Sequence, residues 1–371
     1  VPRVGGVVLT DQEDLVNPIR RGATVALTSG VAVASLTVPS AAATHHHHRA
    51  TTRNPAAAAA GYLARQLAGN RHDHYVDLVG KSTFPDDGET ADAVLSMDAA
   101  GVAQTAARRA TRWLERDAAN YLGGTAPDIY PGSAAKLLLV ANAQHVNPRR
   151  FNGLDLVAAL LGTEGAGPAA PGQFENPSDT TFSSSVIVQS LAVLALAGAP
   201  GVNAPDAAAT SFLSGQACPD GGFQVSVRTS GGCSGEDVDA TSYAVQALLA
   251  GNAKAKVRAA LRWLHRHENA DGGWAEQPGS ASDANSTAIA VEALIAAHRK
   301  AARGVDWLLR HQEGCRAKAA RRGAVRFQGR RFDPATAVRA TSQAAAALAL
   351  RPLDWIDRSR ARSAAPVLNC R

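Results

Sequence analysis

Aromatic side chains make up only 5% of the 371 residues, so ring surface contributes little to whatever core the chain forms. No stretch after Val38 approaches the roughly 18 consecutive apolar residues of a membrane-spanning helix, which excludes an integral membrane protein once the N-terminus is processed. Cysteine occurs four times without a CxxC or Cys-His spacing, and this argues against a zinc site. Aromatics are not interleaved with basic residues, as a single-stranded nucleic-acid groove requires, so no nucleic-acid partner is expected. No cofactor motif is evident either.

What remains is rich in alanine and 46% hydrophobic, a composition that lets helices approach closely and suits an all-α protein. The formal charge of +6 is unevenly spread: residues 299–371 hold 17 Lys+Arg against 5 Asp+Glu, leaving the first 298 residues net acidic. A solvated basic face is the simpler reading of that excess. The functional one is a rim that meets a ligand diphosphate or an anionic cell-surface polymer.

Arg20-Arg21 precede the mildly apolar, uncharged stretch Gly22 to Val38, and Ser40-Ala41-Ala42-Ala43 supplies small residues after it. This pattern predicts a signal peptide over residues 1–43 with cleavage near Ala43, and hence a secreted protein. Residues 44–56, which include His45 to His48, read as a His/Ala-rich linker. An even cysteine number in an exported chain predicts two disulfides, Cys218 with Cys233 and Cys315 with Cys370. The first would close a turn; the second would pin the C-terminal tail, residues 351–371.

The most informative stretch is 258–294. Ala260, Leu261, Leu264 and His265 fall at helical spacing beside Trp263, and Asp271-Gly272-Gly273 then stops the helix. Trp274 follows, placed to pack back on the helix end. Asp283, Asn285 or Ser286 can cap a second helix that carries Ile289, Val291, Leu294 and Ile295. The unit is an αα-hairpin. Ser211 to Phe223 repeats its first half, with Phe212 for Trp263 and Asp220-Gly221-Gly222-Phe223 for Asp271 to Trp274, while Asp237 to Leu248 repeats its second. Six such hairpins are predicted, beginning near residues 57, 106, 153, 207, 258 and 304. Each must bury its apolar face on its neighbours.

Trp263-Leu264 with Asp271-Gly272-Gly273-Trp274 resembles the prenyltransferase and squalene-oxidase repeat of squalene-hopene cyclases and protein prenyltransferase β-subunits. The resemblance implies a single (α/α)6 toroid over residues 57–350, with outer helices ringing inner helices around a cavity. Asp237-Val238-Asp239-Ala240 is similar to the DxDD motif of class II terpene cyclases, which would make Asp239 a protonated general acid and Asp237 its partner. Close carboxyls share a proton because both cannot ionise cheaply. The last aspartate of the motif is Ala240 here. The simpler reading is that Asp237 and Asp239 cap an inner helix, as Asp283 and Asn285 would in the next repeat.

Phe182 and Tyr243 are the aromatics expected on inner helices; with Asp283 they are candidate ligand contacts. A carbocation cascade would find few ring faces among them. The zinc site of prenyltransferases is not matched, since the position two after Asp237 is Asp239 rather than cysteine. The reading is an exported toroid that binds a small apolar or isoprenoid-like ligand, with an isoprenoid cyclase acting through Asp239 as the alternative.

Overall fold

The computed structural model describes residues 50–69, 73–79, 82–124, 128–165, 170–178, 185–202, 207–228 and 232–370. The expected export signal, the His45 to His48 tract and Phe182 lie outside these residues.

Twelve helices alternate along the described chain. The even-numbered ones are α2 (Asp87–Ala99), α4 (Pro131–Ala143), α6 (Val186–Ala197), α8 (Val238–Ala250), α10 (Ala284–Ala296) and α12 (Pro334–Leu348). Each packs on the next, and α12 packs on α2, so they form a closed inner ring. The odd-numbered helices are α1 (Pro55–Gly69), α3 (Gln104–Leu122), α5 (Leu156–Leu161), α7 (Ala207–Gly215), α9 (Val257–Arg266) and α11 (Ala302–His311). They lie outside that ring, each against inner neighbours. The result is an (α/α)6 toroid of six hairpins, and the N-termini of its inner helices share one mouth.

The sequence separates inside from outside by hydrophobic distribution. Helix α9 buries Val257, Ala260, Trp263 and Leu264 while Arg258, Arg262 and Arg266 are exposed, the single stripe of a helix with one wet face. Helix α6 buries every residue from Val186 to Leu196, as an inner wall packed on all sides must. Its neighbours approach closely because so many of the buried positions are alanine.

The Asp-Gly-Gly turns link consecutive hairpins. Asp220 accepts from its own turn at Gly222 N (3.0 Å) and from Trp263 Nε1 of the next outer helix (2.8 Å). One repeat later, Asp271 accepts from Gly273 N (3.0 Å) and from Trp307 Nε1 (2.9 Å). The second glycine is required by the indole it faces: a Cβ at Gly273 would lie 2.8 Å from Trp307 Nε1, and one at Gly222 2.7 Å from Trp263 Nε1. The residue after each turn is held by a threonine of the inner helix, Phe223 N donating to Thr241 Oγ1 and Trp274 N to Thr287 Oγ1, both at 2.9 Å. Trp274 itself donates from Nε1 to Leu264 O at 2.8 Å, closing its hairpin.

The ring closes between the sixth hairpin and the first. Gln312 Nε2 donates to Pro55 O (2.9 Å), and Arg65 donates to Arg322 O (2.7 Å). The tail is part of the same architecture. Residues 352–358 cross the mouth at the C-terminal ends of the inner helices, where Leu353 N donates to Gln246 Oε1 (3.1 Å) and Arg358 N to Ala143 O (3.2 Å). The chain then climbs the outer wall past Gly61, where a Cβ would meet Pro366 O at 1.8 Å. Strand β6 (Val367–Leu368) pairs in parallel with β1 (Thr51–Thr52), inside the segment expected to be linker. Cys370 finally bonds Cys315, with Cα atoms 5.4 Å apart. Four other strand pieces are local: β2 (Tyr75–Val79) with β3 (Ser82–Asp86) between α1 and α2, and β4 (Phe223–Gln224) with β5 (Glu236–Asp237).

Candidate functional site

The mouth at the N-terminal ends of the inner helices is acidic because those helices are capped by aspartate. Asp86, Asp237, Asp283 and Asp333 are N-caps of α2, α8, α10 and α12, each accepting from a backbone N–H of the first turn. Asp237 is fully buried; its Oδ1 accepts from Ala240 N (2.8 Å) and its Oδ2 from Gln277 Nε2 (2.9 Å). It sits in β5, paired with Phe223, and the loop leading to it is tied to the preceding turn by the Cys218–Cys233 disulfide, Cα atoms 5.8 Å apart.

Asp239 lies in the first turn of α8 and does not cap it. Its Oδ1 is buried without a hydrogen-bond partner among the described residues. Burial pushes its carboxyl well above the ordinary range, and the neighbouring charges of Asp237 and Asp283 push the same way, against one hydrogen bond from the Ser286 side chain. Burial and the two neighbouring charges all favour the protonated, neutral form of the carboxyl. Asp283 is raised to about 6, chiefly by desolvation, and Ser286 N donates to it at 2.9 Å. Of the three capping candidates in that repeat, Asp283 caps; Asn285 keeps a buried Oδ1 without a partner.

One helical turn below Asp239, Tyr243 lines a small central cavity. Its walls are Asp92, Leu95 and Ser96 of α2, Ile289 and Glu292 of α10, and Ser342, Gln343 and Ala346 of α12, and its floor is Leu353 and Ile356 of the tail. The cavity measures about 30 Å³, room for a molecule or two of water size. Tyr243 is its one aromatic, and half its lining is polar. Lys136 pairs with Asp92 at 2.8 Å. Glu292 is pushed well above the usual carboxyl range, by burial first and by Asp92 second.

The sequence candidates thus divide. Asp237, Asp239 and Asp283 come together at the mouth, and Tyr243 sits beneath them in the lumen. Sequence reasoning missed Asp92, Lys136 and Glu292. A charged residue on an otherwise apolar inner helix, as Lys136 is in Pro131–Ala143, was the available signal. Among the described residues, the one group of three metal-type ligands within mutual reach is Cys218, Cys233 and Glu236, and its two sulfurs are bonded to each other. The basic excess is concentrated in the loop between α11 and α12, beside the acidic mouth. There Arg316, Lys318, Arg330 and Arg331 are exposed, while Arg326 pairs with Glu313 (2.6 Å) and Arg321 lies 4.7 Å above the Phe332 ring. No helix among the described residues is long and apolar enough to cross a membrane.

Residues 183–324 match the family model of the squalene-hopene cyclase C-terminal domain. No curated protein sequence matches the chain. Among solved structures, the type II terpene cyclase MstE from Scytonema, in complex with geranylgeranyl dihydroxybenzoate, superposes with a TM-score of 0.56 at 17% identity, over 80% of this chain and 96% of that one. The unsaturated glucuronyl hydrolase from Bacillus sp. GL1 gives 0.54 at 14% identity, over 80% of this chain and 95% of the other. With ent-copalyl diphosphate synthase from Streptomyces platensis the identity is 22% and the TM-score 0.46, and this chain spans 50% of its length. The toroid is thus shared by proteins of different activity, and fold alone does not carry function. The chain thus has the α/α-toroid fold of these structures, and its residues 183–324 are similar to the squalene-hopene cyclase C-terminal domain.

Proposed function

We propose that the protein is an exported ligand-binding toroid whose site is the mouth formed by the N-terminal ends of α8 and α10. Asp239 carries the reading: a buried carboxyl with one oxygen that has no hydrogen-bond partner among the described residues, its neutral form favoured by burial and by the nearby Asp237 and Asp283. A neutral carboxyl donates one hydrogen bond and accepts another without the desolvation cost of a charge, which suits a mainly apolar ligand with a single polar handle. A small isoprenoid-like molecule is the class proposed. Binding without turnover is favoured by Ala240, which stands where a class II motif has its last aspartate, and by the scarcity of rings in the lumen. Export fits the two disulfides and the Gly22 to Val38 stretch.

The second reading is a class II-type cyclase, favoured by the same proton. In it Asp239 gives its proton to an alkene carbon, the π electrons form the new C–H bond and leave a cation on the adjacent carbon, and the Asp239 carboxylate left behind balances that charge. A single toroid is no obstacle, since this chain covers 96% of the Scytonema cyclase.

The two readings separate in one experiment. The purified protein is mixed with squalene and with linear prenyl diphosphates, binding is followed by native mass spectrometry and calorimetry, and extracts are analysed for products beside Asp239→Asn. Binding without product, weakened at least tenfold by the substitution, is the expected result. A cyclised product from wild type alone would replace it with the cyclase reading, and failure to bind any isoprenoid would sink both. The exposed bases at Arg316, Lys318, Arg330 and Arg331 support a further contact with an anionic cell-surface polymer, tested by salt-sensitive retention on such a polymer and its loss when the four are changed to glutamine.

A further inference from the structure

The lumen below the mouth contains a buried carboxyl that the protein does not pair. Asp92 is matched by Lys136 at 2.8 Å, and Glu89 lies 3.5 Å from Arg339. Glu292 is 4% exposed and makes no hydrogen bond or ion pair among the described residues. It lines the central cavity together with Gln343, whose Oε1 is a buried acceptor with no partner among the described residues. Ser96, Ser342 and the Tyr243 hydroxyl complete a wall rich in oxygen. Leu353 and Ile356 of the tail contribute to the same lining.

We propose that this cavity binds one small monovalent cation, with the Glu292 carboxylate and Gln343 Oε1 as its principal ligands. Three observations select that chemistry. The lining offers oxygen acceptors and no cationic side chain, and Lys136 is engaged by Asp92, so an anion would find no positive partner there. Burial and the neighbouring Asp92 favour the protonated form of Glu292, so one monovalent cation can replace its one proton without changing the charge of the cavity, whereas a divalent ion would leave an excess in a low-dielectric interior. A cavity of about 30 Å³ admits an ion of potassium or ammonium size and excludes a large organic cation. The cation is either a free ion or the ammonium end of a longer ligand that enters from the Asp239 mouth; both present the same head group. The proposal does not depend on the isoprenoid reading, because Asp239, Asp237 and Asp283 are not among the residues that line this cavity.

The test is thermal denaturation of the full, disulfide-bonded chain at constant ionic strength, with potassium, ammonium, methylammonium or calcium exchanged for choline. Potassium or ammonium is expected to raise the midpoint by a few degrees, saturably and with single-site dependence. A larger shift with methylammonium than with ammonium would identify the head group of a ligand as the natural occupant. Glu292→Gln should abolish the dependence, and Gln343→Met should weaken it at least tenfold in cation concentration. If Glu292→Gln fails to fold, the Gln343→Met titration decides alone. Equal midpoints in choline and in the small cations would overturn the proposal, as would a dependence retained in either variant. A stronger, saturable effect of calcium would overturn the monovalent assignment.

Discussion

The described interior holds several carboxyls whose burial raises their proton affinity, and this makes the fold itself pH-sensitive in an unusual direction. Asp87 is raised to about 8, by desolvation first and then by Asp117 and Asp86. Asp98 is raised to about 6 by burial, against hydrogen bonds from Gln104 and Gln144, and Asp283 likewise to about 6. Asp239 and Glu292 are raised well beyond the usual range. Above pH 4 the unfolded chain loses these protons while the folded chain keeps them. Stability is therefore full below the unfolded values and falls as pH rises toward each folded value, by about 1.4 kcal/mol per group per pH unit. Between pH 5 and pH 8, Asp87 alone accounts for a loss of about 4 kcal/mol, and Asp98 and Asp283 for about 1.4 kcal/mol each. His311, pushed down by burial, works the other way only below pH ~6.5. Urea denaturation at pH 5 and at pH 8 should show the protein several kcal/mol more stable at the acid pH. Asp87→Asn should remove about 4 kcal/mol of this dependence and stabilise the protein at pH 8. A stability that is constant or rises from pH 5 to pH 8 would refute the reasoning.

The links between repeats give a second prediction. Gly273→Ala drives a methyl against Trp307 Nε1 and Ser282, each 2.8 Å away, and should cost about 1–3 kcal/mol. Gly314→Ala, which meets nothing within 4 Å, should change stability by less than about 0.5 kcal/mol in the same denaturation assay. Replacing Cys315 and Cys370 by serine opens a sequence separation of 55 residues and should cost about 4 kcal/mol in the chain-entropy model. Amide exchange would then rise first in residues 359–370, and a uniform rise across the toroid would contradict the strap described for the tail.

Much of the fold was legible because the repeat restates itself. Trp263 to Trp274 and Phe212 to Phe223 share one turn chemistry, and helices α1, α7, α9 and α11 begin within two residues of the expected hairpin starts. The role of each turn aspartate as acceptor for the next hairpin's indole was not legible. It joins Asp271 to Trp307 across a repeat boundary that spacing alone does not reveal. The third hairpin begins at Leu156 without an aromatic-leucine start, so its outer helix is short and its position rests on Leu156, Val157 and Leu160. At the site, Asp237 and Asp283 were readable as caps because capping is local. The contrast between Asp237, saturated with hydrogen bonds, and Asp239, left with an orphan oxygen two residues on, depends on Gln277 and Ser286 from the next hairpin. Glu292 and Lys136 sit in helices whose sequence reads as plain apolar wall, and ring closure alone brings them near Asp92.

The account rests on a neutral Asp239, and infrared difference spectroscopy on protein carrying 13C-labelled aspartate tests that state directly. Wild type at pH 7 should show the carbonyl stretch of a protonated, buried carboxyl that is missing from Asp239→Asn and shifts when a ligand occupies the mouth. An Asp239 signal that belongs to an ionised carboxylate at pH 7, titrating near the ordinary aspartate range, would contradict both the binding reading and its cyclase alternative.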